Sequence, residues 1–290
     1  MKPAPFEYHA PTERHEALAL LAESGFDAKI LAGGQSLVPA MNFRLARPAI
    51  LIDVNRIDDL FGVHVADDGS TLIGAMTRQR ELERSPLIAE RAPLIAKAMP
   101  HIAHPQIRNR GTIGGSLAHA DPAAELPALA VALNARLRLQ SQSGERWLPA
   151  ADFFLGVLTT ALEPEEMLVE IEIPALPART GTAFDEVARR HGDYAMAGAA
   201  AVVTLDNNGT IAESTLVLMA VGDAPLRVRA IEALRGQQPT PEIIREAAES
   251  IDSEIDPPND LHATAAYRRH LVKRLACATL TRAVERAQQP

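Results

Sequence analysis

Cysteine is nearly absent from this sequence, with Cys277 alone among 290 residues. One thiol excludes an internal disulfide, and it excludes an iron–sulfur cluster or Cys-rich zinc site held by this chain alone, since each needs several thiolates. It also suits a reducing compartment, so the cytoplasm is the expected location. Aromatic residues make up only 4 % of the chain, and the core must therefore be assembled from Leu, Ile, Val and Ala. No run of about 18 apolar residues occurs, and the opening segment from Met1 to Tyr8 has no apolar stretch of the signal-peptide kind, so neither a membrane span nor export is expected. Basic charge is not in surplus either: 29 Lys and Arg against 37 Asp and Glu give a formal net charge of −8. With those cations scattered along the chain, nucleic-acid binding is set aside.

What the chain does have is length and apolar content. At 290 residues it exceeds the size at which one hydrophobic core stops growing, and two or three domains are expected. An amphipathic helix is read from Thr12 to Ser24, capped by Thr12 and ended near Gly25. A brief strand, Ala28 to Leu31, runs into Ala32-Gly33-Gly34-Gln35-Ser36, and a short helix from Leu37 to Leu45 and a strand from Ala49 to Val54 complete a compact α/β unit. A hairpin follows at Gly62 to Val65 and Thr71 to Ala75, then helices at Thr77 to Arg84, Pro86 to Met99 and Ala123 to Leu133. The stretch from His104 to Leu117 carries few features of either regular element. Strands at Arg136 to Gln140 and Met167 to Ile173 precede a boundary marked by Pro174, Pro177 and Gly181. Beyond it three strands (Gly181 to Val187, Ala199 to Asp206, Ile211 to Val221) and two helices (Pro241 to Ser253, Ala263 to Gln288) finish the chain.

Two glycine pairs, Gly33-Gly34 and Gly114-Gly115, lie about eighty residues apart, the first followed by Ser36 and the second flanked by Thr112 and Ser116. Without a Cβ, such loops bring backbone N–H groups close to phosphate oxygens, and the hydroxyls add donors. Neither matches GxGxxG or the P-loop pattern, so each alone also reads as a plain turn. His101, His104 and His119 follow no metal spacing. Asp121 and Glu125, four apart, would share a helix face, with Asp121 favoured as a cap. Arg108 and Arg110 are either phosphate contacts or a solvated pair.

The wider wording is more specific. Leu31-Ala32-Gly33-Gly34-Gln35-Ser36-Leu37-Val38-Pro39, followed by Arg110-Gly111-Thr112-Ile113-Gly114-Gly115-Ser116-Leu117-Ala118-His119-Ala120-Asp121-Pro122, resembles the flavoprotein subunit of molybdenum hydroxylases. That family includes carbon monoxide dehydrogenase medium subunits and the central domain of xanthine dehydrogenase. The resemblance runs on through Asp53-Val54, Leu168, Ile171-Glu172-Ile173-Pro174 and the segment Ala188 to Gly198, and so covers nearly the whole chain in order.

The resemblance implies an α+β chain: a two-subdomain FAD-binding fold of the vanillyl-alcohol oxidase (PCMH) type, followed by a C-terminal α+β domain with a three-stranded sheet. The expected domains are 1–56, 57–176 and 177–290. It implies noncovalent FAD, with Ala32, Gly33, Gly34, Gln35, Ser36 and Leu37, and Thr112, Ile113, Gly114, Gly115, Ser116 and Ala118, around the cofactor. By the same resemblance Glu125 would take the place of an acidic residue near the cofactor and Leu168 would line the adenine or ring pocket; from the residues themselves, Asp121 and Glu125 are expected to hold ribose hydroxyls or loop amides, and Tyr194 either lies over the isoalloxazine ring or is an ordinary core or surface tyrosine. Where the xanthine dehydrogenase pattern has Phe-Lys, this chain has Phe184-Asp185-Glu186, which withdraws a positive charge from near the flavin. Molybdopterin and [2Fe-2S] clusters are then expected on partner chains, a large and a small subunit, in a heterotrimer that is itself duplicated and passes electrons to an external acceptor. The rival readings are a self-sufficient FAD-dependent oxidase or dehydrogenase, and an assembly subunit without cofactor.

Overall fold

The computed structural model describes residues 2–289. Strand β1 (Glu7–His9), helix α1 (Arg14–Ser24), strand β2 (Ala28–Leu31), helix α2 (Leu37–Asn42) and strand β3 (Ile50–Asp53) build the first layer. Its sheet is parallel, in the order β1-β3-β2, and β1 is an edge strand that the sequence pattern did not reveal. The start of α1 is held by Glu16 rather than Thr12: its carboxylate accepts the amides of Thr12 and Glu13. Ala17, Leu18 and Leu21 bury one face of α1 against Ala28, Ile52 and Val54 of the sheet side.

Strands β4 (Val63–Val65) and β5 (Thr71–Gly74) form the expected hairpin. Helices α3 (Gln79–Arg84), α4 (Pro86–Arg91) and α5 (Pro93–Ala98) follow, and a single 3-10 turn covers Met99–His101. The single helix expected over Pro86 to Met99 is broken in two at Ala92 and Pro93, because the proline ring disfavours helical backbone at the preceding residue. The stretch read as irregular contains two short helices, α6 (Pro105–Arg108) and α7 (Ile113–His119); the glycines of α7 hid it, since glycine weakens the helical signal. Helix α8 (Glu125–Ala132) is buried along its whole length.

Strands β6 (Arg136–Ser141) and β7 (Gly144–Pro149), helix α9 (Ala150–Phe153), the small hairpin β8 (Phe154–Gly156) and β9 (Thr159–Thr160), and strand β10 (Met167–Ile173) complete this part. The sheet is antiparallel, in the order β4-β5-β10-β6-β7. Central β10 is buried on both sides: Met167 and Val169 join the core of the first layer, while Leu168, Ile171 and Ile173 join the helical core. An irregularity between Leu168 and Glu170 puts Leu168 on the same side as Ile171 despite their odd spacing.

The last sheet is antiparallel: β11 (Thr180–Ala188), β12 (Ala195–Leu205), β13 (Ile211–Met219) and β14 (Leu226–Arg227). It has four strands rather than three, because Leu226 and Arg227 pair with Leu218 and Val217 over a run too short to show alternation. Helices α10 (Pro241–Ser250) and α11 (Ala265–Gln288) cover one face. Gly181 lets β11 lie on α11, since a Cβ there would strike the backbone of Ala283 and Ala287. Among the described residues, no helix is long and apolar enough to cross a membrane.

Candidate functional site

The first glycine loop leaves the end of β2. Gly34 takes φ +74°, which turns the chain. Gln35 Nε2 donates to Gly33 O (3.0 Å) and Val38 N to Gly34 O (3.1 Å), so the loop is braced from within. The N–H groups of Gly33, Gly34, Gln35, Ser36 and Leu37 donate to no group among the described residues. Five successive backbone donors without an acceptor are suited to an anion.

The second loop is built differently. Thr112 caps α7, its Oγ1 accepting from Gly115 N at 3.0 Å. Ile113 N donates to Thr77 O, Gly114 N to Ala75 O (2.8 Å) and Ser116 N to Thr112 O. These amides are therefore spent inside the protein, and only the first loop offers an open row of backbone donors. Gly114 is required for packing: a Cβ there would lie 2.6 Å from Ala75 Cβ and 2.7 Å from its carbonyl oxygen.

The two loops touch. Gly33 lies against the backbone of Arg110 and Gly111, where a Cβ would come within 2.8 Å of Gly111 Cα, and a Cβ on Gly115 would sit 3.4 Å from that of Ala32. Two residues that sequence reasoning missed clamp them together. Asn55 Nδ2 donates to Ala32 O (2.9 Å) and to Asp53 Oδ1 (2.6 Å). Arg78 donates through Nη2 to Asn55 Oδ1 and through Nη1 to Arg110 O, both at 2.5 Å. Behind them, the Tyr8 hydroxyl donates to Asp53 Oδ2 at 2.6 Å. The pairing of Asp53 with Asn55 just past a strand end was a readable signal of a local Asx turn, whereas nothing in the sequence marked Arg78.

Tyr194, on the turn between β11 and β12, brings the C-terminal part to the same place. Its ring is 60 % exposed, while its hydroxyl lies beside the side chains of Ser36 and Asp121. Crowding of the hydroxyl by protein, and then the charges of Asp121 and Glu125, push it above the usual tyrosine range. Asp121 is not on the face of α8: it forms its own turn, accepting from Ala123 N at 2.9 Å, and the helix begins at Glu125. Ser36, Asp121 and Tyr194 thus converge from three distant segments. Ala118 is exposed on α7, while Ile113 and Leu168 are buried in the helical core.

Glu125 is 7 % exposed, and burial first, then the charge of Glu186, pushes its carboxyl up to about 8. His101 Nδ1 lies 3.6 Å from Glu186 Oε1 and its ring stands edge-on to Phe184. Arg108 is committed to the structure, bonded to Glu83 and to the carbonyls of Ile102 and Ala103. Asp185, which follows Phe184, is paired from α11, where Arg282 Nη2 donates to it at 2.6 Å. Among the described residues no three His, Cys, Asp or Glu side chains converge as a metal-holding group.

An open amide row at a strand end, with a second loop packed against it and Tyr194 near Ser36 and Asp121, has the form of a dinucleotide-binding site. Residues 4–176 match the FAD binding domain in molybdopterin dehydrogenase, and residues 182–283 match the CO dehydrogenase flavoprotein C-terminal domain. The chain is 43 % identical to the 6-hydroxypseudooxynicotine dehydrogenase complex subunit alpha of Paenarthrobacter nicotinovorans, over 99 % of this chain and 97 % of that one. It is 42 % identical to the carbon monoxide dehydrogenase medium chain of Hydrogenophaga pseudoflava, over 92 % and 93 %. The structure of carbon monoxide dehydrogenase from Hydrogenophaga pseudoflava superposes with a TM-score of 0.95, covering 99 % of both chains. This chain belongs to the family of FAD-binding medium subunits of carbon monoxide dehydrogenase-type molybdenum hydroxylases.

Proposed function

We propose that this chain is the electron-passing subunit of a heterotrimeric molybdenum hydroxylase, holding noncovalent FAD and working between two partners and an external acceptor. The observation that carries this reading is the row of open amides from Gly33 to Leu37, which fits the pyrophosphate of a dinucleotide. FAD supplies the redox chemistry, accepting electrons singly or in pairs and releasing them. The protein's part is to bind and orient. Gly33 to Leu37 donate to the phosphates; Thr112, Gly114 and Gly115 hold α7 against β5 and β2, so that Ser116 and Ala118 face the cofactor. Tyr194, with Ser36 and Asp121 near its hydroxyl, would lie over the ring and keep water from one face.

The other centres belong to partner chains, a small [2Fe-2S] subunit and a large molybdopterin subunit, in a dimer of heterotrimers in the cytoplasm. One cysteine cannot ligate a cluster. The hairpin of β8 and β9 presents Leu155, Val157 and Leu158 to solvent, and Leu158 N is bonded to Ala120 O at the end of α7. An apolar surface of that kind, next to the cofactor loop, suits a partner. The test is to mix the purified, oxidised chain anaerobically with dithionite in one arm and with aldehydes, purines and N-heterocycles in another, following the flavin absorbance. The expected result is bleaching by dithionite and none by any organic substrate until both partners are added. Bleaching by a substrate with the chain alone would promote the self-sufficient dehydrogenase.

A further inference from the structure

Three acid–base side chains come from three elements at the seam between the flavin-binding part and the C-terminal sheet: His101 and Glu186 face one another, and both are near enough for their charges to act on Glu125. Glu125 opens α8, Glu186 lies on β11, and His101 ends the 3-10 turn. The Glu186 side chain is 5 % exposed, its Oε1 faces His101 at 3.6 Å, and its buried Oε2 has no hydrogen-bond partner. No side-chain donor reaches the Glu125 carboxyl among the described residues. The His101 side chain, by contrast, is 34 % exposed.

Two buried carboxyls with so few donors, Glu125 met by a backbone amide and Glu186 Oε2 by none, are costly as anions, and that cost is relieved by a proton or a cation. The cations nearby are engaged elsewhere: Arg282 with Asp185, and Arg286 and Lys97 with the Thr182 carbonyl. Among the described residues His101 is left as the partner of Glu186, and the Glu186 carboxyl 3.6 Å away holds the imidazole above the usual histidine range. Asp121 and Tyr194 close the cleft side, and the charge of Glu125 is felt at the Tyr194 hydroxyl.

We propose that Glu125, Glu186 and His101 form one proton-exchanging cluster beneath the flavin cleft, with His101 as its outlet to solvent and Glu125 as the group that sets the charge of the cleft floor. The proposal rests on FAD occupying the cleft. Each electron pair that enters from a one-electron donor brings two negative charges, and two protons from solvent balance them. With its proton, Glu125 presents a neutral floor to that charge; without it, a negative one that resists reduction. None of the three is called on to touch the cofactor, so they are positioning residues that act through the field.

The experiment has an arm that needs no flavin. Infrared pH titration of the apoprotein should show a protonated-carboxyl carbonyl band that disappears with a midpoint near pH 8, is missing in Glu125→Gln, and shifts to lower pH in Glu186→Gln because a negative neighbour has been removed. Redox titration of the flavin-loaded protein should then show a midpoint potential that falls more steeply with pH above this midpoint in the wild type than in Glu125→Gln. In His101→Asn the carboxyl midpoint should rise. A band unchanged by Glu125→Gln and Glu186→Gln, or identical potential–pH curves in proteins that bind flavin normally, would overturn the cluster. A normal band titration in a chain that binds no flavin would instead overturn the reading of the cleft and leave the cluster standing.

Discussion

Arg78 holds two carbonyl-type oxygens at once, donating at 2.5 Å to the Asn55 side chain and at 2.5 Å to the Arg110 backbone, and so joins the first glycine loop to the approach of the second. Asn55 in turn carries the carbonyl of Ala32. The spacing of the loops, and with it the width available to a pyrophosphate, depends on this pair.

Replacing Arg78 with Lys should therefore weaken FAD without unfolding the chain. A point ammonium cannot span both acceptors. Loss of one charged hydrogen bond is worth about 1.5–3 kcal/mol, or roughly a ten- to hundredfold rise in the dissociation constant. Equilibrium titration of apoprotein with FAD, beside a circular dichroism melt, reads both quantities. An unchanged affinity would mean that the clamp does not set the loop spacing.

Gly114→Ala should act on stability before it acts on cofactor. The new methyl group would sit 2.6 Å from Ala75 Cβ, so α7 must move off β5. Overpacking of this kind costs about 1–3 kcal/mol. A denaturant midpoint that drops in the apoprotein is the expected outcome; a loss of flavin with unchanged apoprotein stability would assign Gly114 to the cofactor instead.

Thr112→Val removes the oxygen that accepts from Gly115 N at 3.0 Å while keeping the shape of the side chain. A lost helix cap costs about 1 kcal/mol. The freed Gly115 amide then adds a sixth open donor, near Ala32. Flavin affinity should hold or rise while the melting temperature falls, a split that differential scanning calorimetry and flavin titration can resolve together.

Glu125 should make stability fall toward alkaline pH. Its carboxyl is held at about 8 in the folded chain, above its ordinary value of 4.5. The native state thus keeps a proton that the unfolded state has lost, and unfolding becomes easier as pH rises from about 4.5 to about 8. The shift corresponds to a few kcal/mol at most. Glu125→Gln should flatten this slope, and urea titrations between pH 5 and about 9 measure it. Parallel curves for both proteins would show that Glu125 is ionised in the fold.

The glycine loops and the order of elements were legible because strand ends, glycine pairs and caps are local features. What escaped was decided by distant contacts. Strand β1 is only three residues long and pairs in parallel with β3 more than forty residues away, so it has no hairpin signal. Helix α7 was hidden by Gly114 and Gly115, which are there because Ala75 just past β5 lies too close to the first, and the capping Thr112 hydroxyl too close to the second, for a side chain. The two glycine pairs looked alike in sequence, and only the hydrogen bonds of Ile113, Gly114 and Gly115 show that one loop is open and the other closed. Asp121 and Glu125 have helical spacing, yet a turn at Asp121 parts them. Arg78 offered no pattern at all, since an arginine before a helix has many uses.

The convergence of Ser36, Asp121 and Tyr194 also has a meaning in time. A chain emerging from the ribosome makes the amide row within its first forty residues, but the tyrosine that covers it is added some 160 residues later, and the strand that fixes that tyrosine, β12, later still. Until then the opening is complete in backbone donors and lacks its cover. On the proposed reading, capture of the cofactor would wait until most of the polypeptide has been made, and a prematurely ended chain would carry both glycine loops yet retain its ligand poorly.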